Sequence, residues 1–306
     1  MSIVNFAICA DRNIEPGLHV TLYSALKSLA LDSRAVAHLF LKDYDQEHLG
    51  SLKSTVAEFN ERCEIRVYDI DKIDLGRGRG FHGTMVSYAR IFIADIVECE
   101  RIIYLDADLI VMTDLTSLSV RDLGGAALAA VSHSTLKNAW SHENALLLRL
   151  GLSDDLPYFN AGVLLIDVDA WKKNQLTEKC RSVIRKHGAR LVTSDQSVLN
   201  AALSDQFVRL PLNYNVLCYP SDVYKTEPCD AIYHLVGSPK PWDLMGEFLH
   251  RGYPMFRKYL SMTNCKEYSS FRSLSVIKIE RTLRLSRAYF RLIRSRLKDR
   301  RHYGSS

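Results

Sequence analysis

Short apolar runs alternate with longer amphipathic stretches through the first hundred residues. Asn5-Phe6-Ala7-Ile8-Cys9 has the length and apolar content of a buried strand. Residues 17–31 place Leu18, Leu22, Ala25, Leu26 and Leu29 on one helical face, with Pro16 near the start. A second strand falls at 36–41, a polar amphipathic helix at about 45–60 and a third strand at 65–68. The order β-α-β-α-β predicts a mostly parallel sheet covered on both faces. Such sheets bind ligands beyond the carboxyl ends of their strands.

Farther on, the pattern predicts a helix over 88–97 and a strand over 101–105, then an apolar run at 127–131. A helix over 138–150 ends at Gly151. A strand at 162–166, a helix over 195–203 and a late strand at 232–235 complete the body. No internal repeat or linker-like stretch interrupts it. Gly76-Arg77-Gly78-Arg79-Gly80 does not match a dinucleotide fingerprint and opens no helix. It reads as a flexible loop or as a mobile flap over a phosphate ligand.

The pattern changes after about residue 262. Val276, Ile279, Leu283, Phe290, Ile293 and Leu297 step by three and four, with a gap at Ser286, into one helical stripe. Arg281, Arg284, Arg287, Arg291, Arg294 and Lys298 lie beside or opposite it. The reading is therefore a body over 1–262 and a basic amphipathic tail over 263–306. A membrane surface is the favoured partner of that helix. A partner helix or oligomer contact is the next reading. Nucleic acid is not expected, because no binding motif accompanies the charge.

Charge sharpens this picture. The chain of 306 residues has a formal net charge of +5. Twelve Lys/Arg stand against three acids between Lys266 and Arg301, so a slightly acidic body carries a strongly basic tail. Hydrophobic residues make up 47% and charged residues 25%, values of an ordinary globular protein with a substantial core. Seven cysteines, an odd number without a C-x-x-C pair, argue against a zinc ribbon or a disulfide scaffold and fit reduced thiols in a cytosolic protein better. The N-terminus reads as a strand, not a signal peptide. No stretch reaches the roughly 18 apolar residues of a membrane-spanning helix.

The candidate chemistry centres on Asp106-Ala107-Asp108, set between the apolar runs 102–105 and 109–111. In extended chain, residues two apart point to one side, so both carboxylates can meet one cation. Two adjacent carboxylates repel and are costly to desolvate. A divalent ion bridging a substrate diphosphate compensates them and stabilises charge on a departing nucleotide. The plainer reading is a pair of polar residues ending a strand. A further rival is the phosphatase motif of the haloacid dehalogenases. That motif normally sits on a first strand, and no late acidic pair accompanies it here.

Other segments carry a more specific signal. Ala10-Asp11-Arg12-Asn13 follows the first strand, and Ser87-Tyr88-Ala89-Arg90 opens a helix before Tyr104-Leu105-Asp106-Ala107-Asp108. Then come Tyr158-Phe159-Asn160-Ala161-Gly162, Ser194-Asp195-Gln196-Ser197 and His234-Leu235-Val236-Gly237-Ser238-Pro239-Lys240-Pro241-Trp242. In this order, over roughly residues 1–260, they resemble glycosyltransferase family 8. That family includes bacterial lipopolysaccharide galactosyl- and glucosyltransferases and glycogenin.

The resemblance implies a nucleotide-sugar-binding, Rossmann-like α/β fold of the GT-A type, with a mostly parallel central sheet. It implies a UDP-sugar donor, Mn²⁺ (Mg²⁺ being the alternative ion) and retention of anomeric configuration. Asp106, Asp108 and His234 would bind the metal, and an imidazole among the ligands suits Mn²⁺ better than Mg²⁺. Ala107 lies between the two carboxylates in the donor site. Gly237 lets the backbone approach a phosphate and Lys240 offers it a point charge. Asp11 and Asn13 would contact uracil and ribose, although Asn13 also reads as a turn or helix cap. Arg90 would contact the donor, with a surface ion pair as its plainer role. Asn160, Asp195 and Gln196 would line the sugar pocket. Asp195 also reads as a favourable acid at a helix start. The small residues Ala161 and Gly162 would let a ligand approach the backbone. Trp242 reads as a core anchor.

Retention by double displacement needs a nucleophilic carboxylate. Gln196 is an amide, so a same-face substitution is favoured and Asp195 as nucleophile comes second. Ser132-His133-Ser134 stands where many relatives have an acid, so no role is expected of His133. The expected function is transfer of glucose or galactose from a UDP-sugar to a lipopolysaccharide or other lipid-linked surface glycan. The setting would be cytoplasmic, peripheral at the inner face of the membrane. The alternative is a non-catalytic nucleotide-sugar-binding subunit.

Overall fold

A computed structural model describes residues 2–75, 85–138, 147–187, 195–222, 230–273 and 276–303. Its strands in chain order are β1 (Ile3–Asp11), β2 (Arg34–Lys42), β3 (Cys63–Asp69), β4 (Arg101–Asp106), β5 (Leu109–Val111) and β6 (Leu128–Thr135). They continue with β7 (Pro157–Asp167), β8 (Val208–Arg209), β9 (Val216–Leu217) and β10 (Ile232–His234). The Gly76–Gly80 loop and most of the helix expected over 138–150 lie outside the described residues, as do Thr193 and Ser194.

Seven strands form the main sheet in the order β3-β2-β1-β4-β7-β6-β8. Pairs β1–β2, β2–β3, β1–β4 and β6–β8 are parallel, and β7 runs antiparallel to both β4 and β6. This is the GT-A arrangement. The central strands are apolar at nearly every position because both faces are covered. On β1, Val4, Phe6, Ile8 and Ala10 enter one core while Ala7 and Cys9 enter the other. On β4, Ile103 and Leu105 face the first core and Ile102 and Tyr104 the second. A buried side chain of this size contributes about 1.5–3 kcal/mol by leaving water.

The chain winds outward from β1 to β3 and then returns to the other side of β1 as β4. Ligand crevices form where strand order reverses in this way. The carboxyl ends of β1 and β4 carry Asp11 and Asp106, and Cys9 is in register with Asp106. Because β7 is antiparallel, its early residues reach the same rim: Leu105 pairs with Val163, which carries Asn160 past the end of β4.

A small sheet, β5-β10-β9, covers this rim. Its β5 edge is satisfied by hydroxyls of the helix Glu15–Lys27. Thr21 Oγ1 donates to Leu109 O at 2.9 Å, and the N–H groups of Leu109 and Val111 donate to Thr21 Oγ1 and Ser24 Oγ at 2.9 and 3.0 Å. The same helix carries Gly17 against the acidic turn, where a Cβ would lie 2.4 Å from Ala107 O and 2.6 Å from the Trp242 ring. Only a glycine permits that approach. Trp242 is buried against Phe256, as expected of a core anchor.

Three expectations change. The segment 88–97 is a 3₁₀ helix over Val86–Phe92 followed by a short α-helix Ile93–Ile96. Every side chain from Tyr88 to Phe92 is buried, so no solvent face selects the α-helical period. Asp106-Ala107-Asp108 is not extended: β4 ends at Asp106, and residues 107 and 108 turn into β5. The tail is two helices, Val276–Arg284 and Ser286–Tyr303, not one stripe. Val276, Ile279, Leu283 and Phe290 face outward, while Tyr289 is buried against the body. Among the described residues, no helix is long and apolar enough to cross a membrane.

Candidate active site

The turn after β4 and the pairing of β5 with β10 bring three ligand-type side chains together. His234 is in register with Leu109, and Leu235 N–H donates to Asp108 O at 2.9 Å. Ligand atoms of Asp106, Asp108 and His234 all lie within 4.8 Å of one another. His234 Nε2 stands 3.1 Å from Asp108 Oδ1 and 3.7 Å from Asp106 Oδ2.

The tautomer of His234 follows from a chain that starts at an unambiguous donor. Gly162 N–H donates to Asn160 Oδ1 at 2.9 Å, which fixes that atom as oxygen. Asn215 Nδ2 donates to the same oxygen at 2.8 Å. Asn215 Oδ1 therefore faces His234 Nδ1 at 3.0 Å and accepts its proton. In the neutral ring, Nε2 then keeps a bare lone pair directed at the carboxylates. Asp108 Oδ1 is buried and, among the described residues, receives no hydrogen bond in return. A lone pair facing an orphaned carboxylate oxygen is a poor contact for two protein groups and a good one for a cation between them. The donor set, two carboxylate oxygens and one imidazole nitrogen, fits a divalent ion such as Mn²⁺.

Lys240 supplies local positive charge. Its Nζ donates to Asp108 Oδ2 at 2.6 Å and also to Leu235 O. Burial would raise the Asp108 carboxyl, but the Lys240 ammonium beside it opposes this and the group lies well below the usual carboxylate range. Gly237, three residues before Lys240, has φ +77°, a conformation that favours glycine.

Arg90 joins this trio to the helix Asp195–Leu203. Its Nη2 lies 2.8 Å from Asp106 Oδ1 and its Nε 2.8 Å from Asp195 Oδ2. Nη1 donates to Ala161 O at 2.6 Å, Nε also reaches Ser87 O, and the guanidinium lies over the Tyr104 ring. The side chain is only 7% exposed, so this is no surface ion pair. Burial raises the Asp195 carboxyl despite Arg90. Tyr104 Oη donates to Asp106 Oδ1 at 2.7 Å.

Gln196 sits beside β7: its Oε1 accepts from Ala161 N–H and its Nε2 donates to Tyr158 Oη, each at 3.2 Å. Asn200 clamps this helix to β7 through the Phe159 N–H and C=O. At the end of β1, Asp11 is buried and caps the next turn by accepting from Asn13 N–H at 2.9 Å. The Asn13 side chain itself is exposed. His133 is exposed.

The structure thus brings Asp106, Ala107, Asp108, His234, Lys240, Arg90, Asp195, Asn160 and Gln196 to one rim. Asp11 lies at the same carboxyl end. Sequence reasoning missed Asn215, which is fully buried and orients His234. It also assigned the space at Gly162 to a ligand. His234 fills that space instead, since a Cβ there would lie 2.4 Å from the ring's Cε1. Tyr104 had a visible signal, alternating with Asp106 on one strand; Asn215, at the end of the short 3₁₀ helix Leu212–Asn215, had none.

Comparison with known proteins places the chain in a family and a fold. Residues 5–246 match the family Glycosyl transferase family 8. The chain is 29% identical to general stress protein A of Bacillus subtilis over 259 residues, covering 79% of this chain and 88% of that protein. It is 25% identical to the lipopolysaccharide 1,3-galactosyltransferase of Salmonella typhimurium, over 87% of this chain and 79% of the relative. Several streptococcal glycosyltransferase relatives are longer, and the chain spans between 30% and 54% of their length. The fold matches that of the galactosyltransferase LgtC, solved with donor and acceptor sugar analogues, with TM-score 0.69 and 21% identity over 86% of this chain and 96% of that one.

Proposed function

The chain belongs to glycosyl transferase family 8, and on that premise we propose that it transfers glucose or galactose from a UDP-sugar to a glycan acceptor with retention of configuration. The observation that carries this reading is the Asp106–Asp108–His234 cluster, with the bare Nε2 aimed at an orphaned carboxylate oxygen. These three residues would hold Mn²⁺, which supplies charge neutralisation for the departing UDP diphosphate. Lys240 adds a second positive charge to the diphosphate, and Gly237 allows close backbone approach. Asp11 and Asn13 serve the nucleoside.

In the sugar pocket, Asp195 and Asn160 hold donor hydroxyls and Gln196 faces the anomeric carbon. Arg90 clamps Asp106 and Asp195 so that the two ends of the donor keep their spacing. Asp195 is buried and held by Arg90 at 2.8 Å, which disfavours it as a nucleophile. The favoured step is therefore a same-face substitution. The bond from the anomeric carbon to the phosphate oxygen breaks as the bond to the acceptor oxygen forms. The acceptor proton passes to the departing phosphate oxygen. The test is hydrolysis of UDP-glucose and UDP-galactose by the purified chain with and without Mn²⁺. Metal-dependent release of UDP is expected. Binding of UDP-sugar with no turnover on any acceptor extract would favour a non-catalytic subunit.

The relatives include a lipopolysaccharide 1,3-galactosyltransferase and a lipopolysaccharide 1,2-glucosyltransferase. Together with the tail, this supports a lipopolysaccharide or other lipid-linked acceptor at the inner membrane face. Leu283 and Phe290 are 69% and 65% exposed on helices rich in arginine, a face suited to an anionic lipid surface. The double variant Leu283→Ser/Phe290→Ser should sediment less with phosphatidylglycerol vesicles while hydrolysing UDP-sugar normally. Undiminished sedimentation would rule out this face as the anchor.

A further inference from the structure

Three consecutive residues just beyond the Lys240 turn are held by the C-terminal part of the chain. Tyr268 Oη donates to Trp242 O at 2.7 Å, and Tyr289 Oη donates to Leu244 O at 2.8 Å. Between them, Arg281 pairs with Asp243, with Nε 3.1 Å from Oδ1 and Nη2 3.2 Å from Oδ2. Lys278 Nζ donates to Tyr268 Oη at 2.6 Å and ties the first tail helix to the same group.

Asp243 makes the connection to the site. Its Oδ2 accepts the backbone N–H of Lys240 at 2.8 Å. The carboxylate is buried, and a buried carboxylate needs hydrogen-bonding and charged partners of this kind. Arg281 is the tail's contribution to that set. Gly246 closes the turn from the other side: a Cβ there would lie 2.1 Å from Lys240 O. The backbone at Lys240 is thus fixed on its N–H by Asp243 and packed on its C=O by Gly246.

We propose that Arg281 is a positioning residue for Lys240, acting through Asp243, and that the first tail helix is a structural part of the phosphate end of the site. The tail then has an inward function separate from any surface it presents outward. The proposal rests on the reading of Lys240 as a diphosphate contact. A side chain that carries one charge on a flexible stem depends on a fixed backbone to deliver it.

Two measurements on the full chain test it. Hydrogen exchange of the 237–246 segment should speed up in Arg281→Gln and return toward wild type in Arg281→Lys. Affinity for UDP in the presence of Mn²⁺ should fall about fivefold in Arg281→Gln, a modest loss in keeping with an indirect contact, with Arg281→Lys recovering most of it. Tyr289→Phe, which removes one hydroxyl, should show the same pattern more weakly. A purely structural loss would lower the melting temperature and leave UDP affinity at 20–25 °C unchanged. Unchanged exchange at 237–246, or faster exchange with unchanged UDP affinity, would overturn the proposal. If the wild type binds no UDP, the donor reading falls, and the exchange arm still decides whether Arg281 holds the turn.

Discussion

An Asp108→Ala variant is expected to lose Mn²⁺-stimulated donor hydrolysis, with kcat/KM down on the order of a thousandfold or more. Asp108 is where the site's electrostatics converge. One of its oxygens faces His234 Nε2 at 3.1 Å and the other takes the Lys240 ammonium at 2.6 Å. Removing the carboxylate deletes a proposed cation ligand and frees Lys240 from its anchor at once. Mn²⁺ binding followed by calorimetry should disappear along with turnover, so the effect does not depend on finding the acceptor. Asp108→Asn keeps the shape but not the charge and should bind Mn²⁺ only weakly. Wild-type Mn²⁺ affinity in Asp108→Ala would place the cation elsewhere and remove the main support for the proposed function.

The second large effect is expected on stability. Arg90 is buried between Asp106 and Asp195 and also bonds Ala161 O. Arg90→Met keeps much of the volume and removes the charge, leaving two carboxylates facing each other. Breaking a buried ion pair from one side typically costs about 3–5 kcal/mol, a large part of the stability of a single domain. The loss should depend on pH in a definite direction. Asp195 already has a raised carboxyl in the folded chain, and without Arg90 it rises further. Between the unfolded and folded values the folded state binds the extra proton, so stability falls as pH increases. The deficit should therefore be full at neutral pH and shrink as the solution is acidified through the folded value. Urea unfolding at several pH values measures it. A deficit independent of pH would mean that packing, not charge, explains the loss.

Much of the fold was legible because its cause is local. Runs such as Phe6-Ala7-Ile8 and Ile102-Ile103-Tyr104 are apolar at successive positions because each face of the sheet has its own core. The helix Asp195–Leu203 ends where its pattern predicts. Asp106, Asp108 and His234 were legible through charge placed next to apolar strands and through the family's segments. The unread parts depend on tertiary contact. Asn215 ends a single 3₁₀ turn, too short to show a periodicity, and its value appears only when Asn160 and His234 arrive on either side. Gly162 looked like room for a ligand because sequence cannot show which side chain stands over it. The tail's arginines all read as outward charge, although Arg281 turns inward to Asp243.

The small sheet that seats His234 beside Asp108 also sets an order of events during synthesis. Lys240 and Asp108 are 132 residues apart in the chain. The acidic turn emerges from the ribosome long before the strand and lysine that complete its surroundings. Until β10 pairs with β5, the two carboxylates end β4 without His234 or Lys240, and the rim has no cover. Contacts of such separation form late and slowly, because a long loop must close first. The proposed cation site thus requires His234 and Lys240 as well as the acidic turn, and a nascent chain released before residue 234 has the motif without the site.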